Sequence, residues 1–279
     1  MDAVRIAVAQ LALSDGDYEA NFEKIARTVA NYGPSHDLIV LPETATSGFA
    51  SRDDIRRLAE PLDGPTVTSL KRWSRQHSVS IVCGLAERCG STFYNTAVIV
   101  SNGRLDLVYR KTHLWTCEYG MFSPGNSYHA TPWCGTQLGA LICFDIEFPE
   151  PARAIAALGS SVLVVCDGNM TPYGPPQRAL TIARALENQI FVAIANRVGE
   201  GRQDTFAGGS LIINPEGHIL AEADDRSEMV LSAELDLSQV DQSRSHYDYL
   251  KLRRIQLKTK VSASSTKCTI LSDTKETLR

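Results

Sequence analysis

Three apolar runs in this chain each end abruptly on an ionisable side chain. LIVLPETATSGF (38–49) delivers Glu43, LVYRKTH (107–113) delivers Lys111, and LGALICFDIEFPE (138–150) delivers Cys143. A cysteine with its unperturbed pKa of about 8.5 is only a few per cent thiolate near neutrality, so it becomes a nucleophile only with a base or a positive field beside it. A carboxylate in a dry pocket has a raised pKa and can take and return the thiol proton. A lysine beside them would hold the negative oxygen of a tetrahedral intermediate, a donor whose loss typically raises a barrier by about 3–4 kcal/mol. Together these groups describe acyl transfer through a thioester. A second acid, Glu118, stands in the polar loop after Lys111. Taken singly, Glu43, Lys111 and Glu118 also read as solvated loop or strand-end charges, and Cys143 as a small core residue.

The elements around these residues decide whether they can meet. VRIAVAQ (4–10), Leu38 to Leu41, Val79 to Glu87, Gln137 to Cys143, Ser161 to Val165 and Phe191 to Asn196 are short apolar runs of the kind buried in sheets. Tyr18 to Asn31, Thr66 to His77, Pro149 to Leu158 and Pro176 to Asn188 carry helical spacing. Asn102-Gly103 and Pro215-Glu216-Gly217 predict hairpins. Helices alternating with strands and interrupted by hairpins imply mixed sheets covered by helices. In such α/β folds ligands bind past the C-terminal ends of strands, where all three ionisable residues lie.

Composition narrows the partners. The 279 residues are 43% hydrophobic with a net charge of −4, which offers no basic field for nucleic acid and favours a small-molecule substrate. No apolar run approaches membrane-span length, and the N-terminus runs straight into a strand, so no membrane role and a cytoplasmic location are expected. Seven cysteines without a CxxC pair suit free thiols. From about Ile255 the sequence turns Ser/Thr/Lys-rich, so residues 1–254 are expected to form the domain and 255–279 a tail or an arm laid on a partner.

The three segments, in this order and spanning Val4 to about Arg254, resemble the signature segments of the nitrilase superfamily of carbon–nitrogen hydrolases. FSPG (122–125), ARALENQ (183–189) and ANR (195–197) resemble it as well. The resemblance implies a catalytic triad of Glu43, Lys111 and Cys143. It also implies that Glu118 orients lysine and substrate, and that the Phe144 N–H at a strand-to-helix elbow is available to the oxyanion. The implied fold is a four-layer αββα sandwich with two mixed sheets, a homodimer joined through its helical face, with no cofactor. The segment past Arg254 departs from the family's usual ending.

Cys-Phe-Asp followed by Phe-Pro-Glu resembles the amidase branches more than the Cys-Trp-Glu of true nitrilases, so small linear amides are the expected substrates. Nitriles, N-carbamoyl amines and amide-forming acyl transfer are the alternatives. Glu147, near where N-carbamoyl amino-acid hydrolases carry Arg, would repel an acidic substrate unless it pairs with an Arg on the helix. Trp115, Trp133, Tyr173 and Pro175 are candidate pocket walls. His113 and Cys117 have i,i+4 spacing without a second ligand pair, so no metal site is expected. GEGRQDTFAGGS (199–210) reads as a mobile loop at the pocket rim. The apolar faces of the helices over 149–158 (Ala154, Ile155, Leu158) and 176–188 (Leu180, Ile182, Ala183, Leu186) are the expected two-fold interface.

Overall fold

The structure, a computed structural model, describes residues 3–254, 259–261 and 268–271. The first half of the chain holds β1 (Val4–Gln10), α1 (Tyr18–Tyr32), β2 (Leu38–Val40), α2 (Arg52–Leu58), α3 (Pro65–His77), β3 (Ser80–Cys89), β4 (Thr92–Ser101) and β5 (Arg104–Arg110). Then come β6 (Ser127–Trp133), β7 (Thr136–Ile142), α4 (Pro149–Ala157), β8 (Ser160–Cys166), α5 (Gly174–Asn188) and β9 (Phe191–Ala195). The chain continues through β10 (Val198–Glu200), β11 (Thr205–Ala207), β12 (Leu211–Ile213), β13 (Ile219–Glu222), β14 (Met229–Leu235), α6 (Ser238–Arg244) and α7 (Tyr249–Leu252).

Two mixed sheets result. One has the order β14-β1-β2-β3-β4-β5, with β1, β2 and β3 parallel. The other runs β13-β12-β9-β8-β7-β6 and has β7, β8 and β9 parallel. The two-residue alternation of strands separates the layers. Ile6 and Val8 point into a core shared with Leu138, Ala140 and Val164 of the second sheet. Ala7 and Ala9 point the other way, onto Ile25 and Val29 of α1 and Val67 and Leu70 of α3. On the far side α4 and α5 cover the second sheet, burying Ile155 and Ala185. The layers are therefore αββα, as expected.

Local chemistry explains the boundaries. Asp17 caps α1 by accepting the Ala20 N–H, and Pro begins both α3 and α4 at the turn where its missing N–H is harmless. Asn102 and Gly103 both take positive φ, as a two-residue hairpin demands. Several elements were not expected, among them α2, β6, α6 and α7. α2 is short and polar and buries only Ile55, and β6 contains Pro132, a residue depleted in strands. Of the stretch 255–279, Thr259–Val261 and Cys268–Leu271 are strands β15 and β16 added at the β6 edge. The rest of the expected tail lies outside the described residues. Among the described residues, no helix is long and apolar enough to cross a membrane.

This topology positions the site. β5 is antiparallel to β4 and β4 to β3, so β5 ends at the same edge as β2. Glu43 follows β2, Lys111 follows β5, Cys143 follows β7 and Asp167 follows β8. The two sheet edges are tied where the Glu43 N–H donates to the Asp167 carbonyl (3.1 Å).

Candidate active site

Lys111 is completely buried and gripped by two carboxylates. Its Nζ donates to Glu43 Oε1 (2.7 Å) and to Glu118 Oε2 (2.6 Å). Asn95, from the middle of β4, closes the network by donating to both acids, 2.7 Å to Glu43 Oε1 and 2.7 Å to Glu118 Oε1. Glu118 also accepts the Trp115 N–H (2.7 Å), which folds the loop after β5 back over the lysine. Glu118 is thus a buried member of the site rather than a solvated loop acid. The second oxygen of Glu43, Oε2, has no hydrogen-bond partner among the described residues, although it is buried.

The backbone around these groups is unusual. Cys143 (φ 43°) and Thr44, next to Glu43 (φ 43°), both occupy the left-handed region. That conformation costs a non-glycine residue on the order of 1–3 kcal/mol and persists where surroundings enforce it. At Cys143 it makes the elbow: β7 stops and the 3-10 turn Cys143–Glu147 leads directly into α4. Two glycines permit the close approach. A Cβ on Gly84 would stand 2.6 Å from the Glu43 Cα, and one on Gly168 2.8 Å from Glu43 Oε2 and 2.4 Å from Phe49.

Electrostatics sort the protonation states. Burial raises the Glu43 carboxyl; Lys111 opposes this, and the neighbouring Glu118 adds to it. Burial pulls the Lys111 ammonium down, but Glu43 and Glu118 outweigh it and hold the lysine charged well above its ordinary range. Burial pushes the Cys143 thiol well up, and the charges of Glu43 and Asp167 add to this against Lys111. Asp167, fully buried beside the Cys143 thiol, is pushed up to about 7 by burial and then by Glu43. It accepts from Gln177 Nε2 (3.1 Å).

Cys143 therefore rests as a neutral thiol beside an oxygen able to take its proton.

An aromatic wall stands beside this centre. Trp115 meets Phe144 edge-on (4.9 Å between centroids) and Tyr173 edge-on (5.3 Å), while Phe148 packs on both Phe144 and His113. Trp115, Phe144 and Tyr173 thus come together as expected. Trp133 does not. It precedes the turn into β7, and seven strand residues at ~3.3 Å each put it ~20 Å from Cys143, with its indole N–H on Ser80 (3.0 Å). Pro175 sits exposed in the first turn of α5. The His113 imidazole lies against Asp145 (2.9 Å) rather than Cys117. Arg184 does not pair with the Glu147 carboxylate; it donates to the carbonyls of Ile146 and Glu147 and to the Glu187 carboxylate.

On the Glu118 and Asn95 side of the network opens a cavity of about 290 Å³ walled by Phe49, Ile55 and Phe122. The segment 199–210 lies at its rim as expected: Gly201, Arg202, Gln203 and Asp204, the loop joining the paired strands β10 and β11, line the cavity together with Phe206 of β11. Asp15 fastens that rim by accepting the Arg202 N–H (2.9 Å) and pairing with the buried Arg197 (2.9 Å). Asn95 and Asp167 were not among the expected site residues. Asp167 carried the same signal as the others, an apolar run ending on an acid; Asn95 showed only as a polar residue inside an apolar strand.

Comparison with known proteins gives the family. The family model described as carbon-nitrogen hydrolase matches residues 5–245. The chain is 45% identical to an (R)-stereoselective amidase of a Pseudomonas species over 255 residues, 91% of this chain and 93% of that protein. A superfamily member from Xanthomonas campestris superposes with a TM-score of 0.85 at 25% identity, covering 92% of this chain and 100% of that one. A double mutant of an amidase from Nesterenkonia sp., in complex with acrylamide, gives 0.80 at 26% identity over 90% and 94%.

Proposed function

Because this chain belongs to the carbon–nitrogen hydrolase family, in its amidase-like branch, we propose that it hydrolyses small linear amides to carboxylic acid and ammonia through a thioester on Cys143. The observation that carries this reading is the buried Lys111 held between Glu43 and Glu118, with Glu43 Oε2 left unpartnered beside a neutral thiol.

The chemistry runs as two half-reactions. Cys143 Sγ attacks the amide carbon while Glu43 takes the thiol proton. The carbonyl oxygen becomes an oxyanion, held by the Lys111 ammonium and the Phe144 N–H. Collapse breaks the C–N bond as Glu43 gives its proton to the departing nitrogen, leaving a thioester and ammonia. Water then attacks the thioester, Glu43 again accepts a proton, and collapse returns that proton to Cys143 Sγ and frees the acid. Because Lys111 is locked by two acids, it serves as fixed positive charge rather than proton carrier. Glu118 keeps it aimed, and the small cavity and aromatic wall suit a short acyl chain.

Ammonia release from acetamide, propionamide and butyramide tests the reading, with matched nitriles alongside and no added amine. Amide turnover that disappears in Cys143→Ala, together with an acyl adduct on the wild-type protein by intact mass, is the expected result. Faster release from nitriles than from amides, or full activity in Cys143→Ala, would overturn it.

We also propose a cytoplasmic homodimer. Ala154, Ile155 and Leu158 cannot form its contact, because α4 buries them against its own sheet. The half-covered Leu180, Ile182 and Ala183 of α5 and the exposed Leu186 are the residues of the expected set that remain available. Light scattering is expected to give a dimer at micromolar concentration; a monomer would reject it.

A further inference from the structure

Glu147 is an acid near the site that the mechanism leaves idle. It ends the 3-10 turn that begins at Cys143. With three residues per turn, positions i and i+3 eclipse, so Glu147 shares a face with Phe144, which packs on Trp115, itself packed on Tyr173. Its half-buried carboxylate has no hydrogen-bond or ion-pair partner among the described residues. Burial raises its pKa and Lys111 draws it back, which places the acid within the field of the catalytic lysine.

We propose that Glu147, with the aromatic faces of Phe144, Trp115 and Tyr173, forms a subsite for a protonated amine, so that the preferred amides carry an ammonium group on the acyl chain. This deepens the amide reading above and rests on it. Three observations favour a cation over a neutral or acidic group. First, carboxyl groups outnumber cations at the site: Glu43, Glu118 and Glu147 all act on the single ammonium of Lys111, which the first two already occupy. Second, Arg184, the guanidinium on the Glu147 backbone, is spent on two backbone carbonyls and Glu187. Third, indole, phenol and benzyl rings attract cations with their faces and hold no counter-charge for an anion. The spacing sets the substrate's length. A 3-10 rise of ~2 Å per residue puts Glu147 roughly 8 Å along from Cys143, a span that a glutamate side chain and a three-methylene amine close together.

The test uses three amides of one length: 4-aminobutanamide (cationic), pentanamide (neutral) and glutaramate (anionic). Wild-type kcat/KM is expected to favour the cation over pentanamide by about tenfold or more, the range of a charge-assisted hydrogen bond, with glutaramate poorest. Glu147→Gln is expected to bring the cation-to-neutral ratio within about threefold, and the preference to weaken as salt rises. Equal wild-type rates for cation and neutral amide, or a ratio unchanged in Glu147→Gln, would overturn the subsite. Binding of the same three compounds to Cys143→Ala by calorimetry reads the subsite without turnover. Tighter binding of 4-aminobutanamide supports it even if no amide is hydrolysed, whereas equal affinities sink it while leaving the amide chemistry standing.

Discussion

Glu43 and Asp145 are both fully buried acids beside the same nucleophile, and they are wired in opposite ways. Asp145 is saturated. Its Oδ1 accepts from Thr112 Oγ1 (2.8 Å), the His113 N–H (2.9 Å) and His113 Nδ1 (2.9 Å). Its Oδ2 accepts from the Tyr109 hydroxyl (2.7 Å) and the Ile142 N–H (3.2 Å). Glu43 is divided. One oxygen takes Lys111 and Asn95, and the other takes nothing. A buried acceptor left open is destabilising by about 1–3 kcal/mol, so an open one at a site is either a flaw or a tool. Asp145 is a staple that fastens the elbow to the end of β5. Glu43 is held at one end so that its other end can react.

Substitutions can break this comparison. The largest effect is expected for Glu43→Gln, which keeps the shape and removes the base. Rate should fall by roughly 10²–10⁴ while Tm hardly changes. A Tm loss as large as that of an Asp145 variant would show that Glu43 is a staple too. Next comes Glu118→Ala, which frees Lys111 to shift; misplacement of about 1 Å can lower kcat on the order of a hundredfold. Iodoacetamide should still alkylate Cys143 there, and unchanged amide turnover would remove Glu118 from the site.

Asp145→Asn should reverse the pattern of Glu43→Gln. It turns donors toward an amide NH₂, lowering stability by about 2–3 kcal/mol and Tm by several degrees, with a smaller fall in rate. A variant as stable as wild type would show the staple to be decorative.

The smallest effect belongs to Asp167. Its carboxyl is pushed up from 3.8 to about 7 in the folded protein. The native state therefore binds a proton that the unfolded chain has released, and the associated stability, present below about pH 4, is lost as pH rises through about 7. Asp167→Asn should flatten this decline, so that thermal unfolding at pH 5 and pH 8 differs less than in wild type. A wild-type Tm that rises across that interval, with Asp167→Asn following it in parallel, would contradict the assignment.

The same contrast explains what the sequence could and could not reveal. Glu43, Lys111 and Cys143 each sit where an apolar run breaks into polar loop, and such breaks are visible in one dimension. Asn95 is not at a break. It lies in FYNTAVIV, and its role exists only because β4 passes beneath a strand-end acid and a loop acid that lie 52 and 23 residues away in sequence. Trp133 shows the converse error: its type suited a pocket wall, but which end of a strand it occupies depends on a turn direction that residue type does not encode. The layered fold followed from alternating periodicities, whereas the pairing of β1 with β14, Val4 opposite Leu235, joins strands from opposite ends of the domain and leaves no local pattern. α2 was missed because seven residues with a single buried side chain carry almost no pattern.

The resting thiol has a bearing on survival under oxidative stress. Peroxide reacts with thiolates far faster than with thiols, and Cys143 is both buried and neutral until a substrate arrives. An enzyme built this way hides its reactive sulfur chemically as well as sterically. Under dilute hydrogen peroxide, peptide mass spectrometry should find sulfenic acid on exposed Cys89 before Cys143, with activity persisting after that surface thiol is consumed. Early loss of activity with Cys143 oxidised first would mean that the proton leaves the sulfur before the substrate comes.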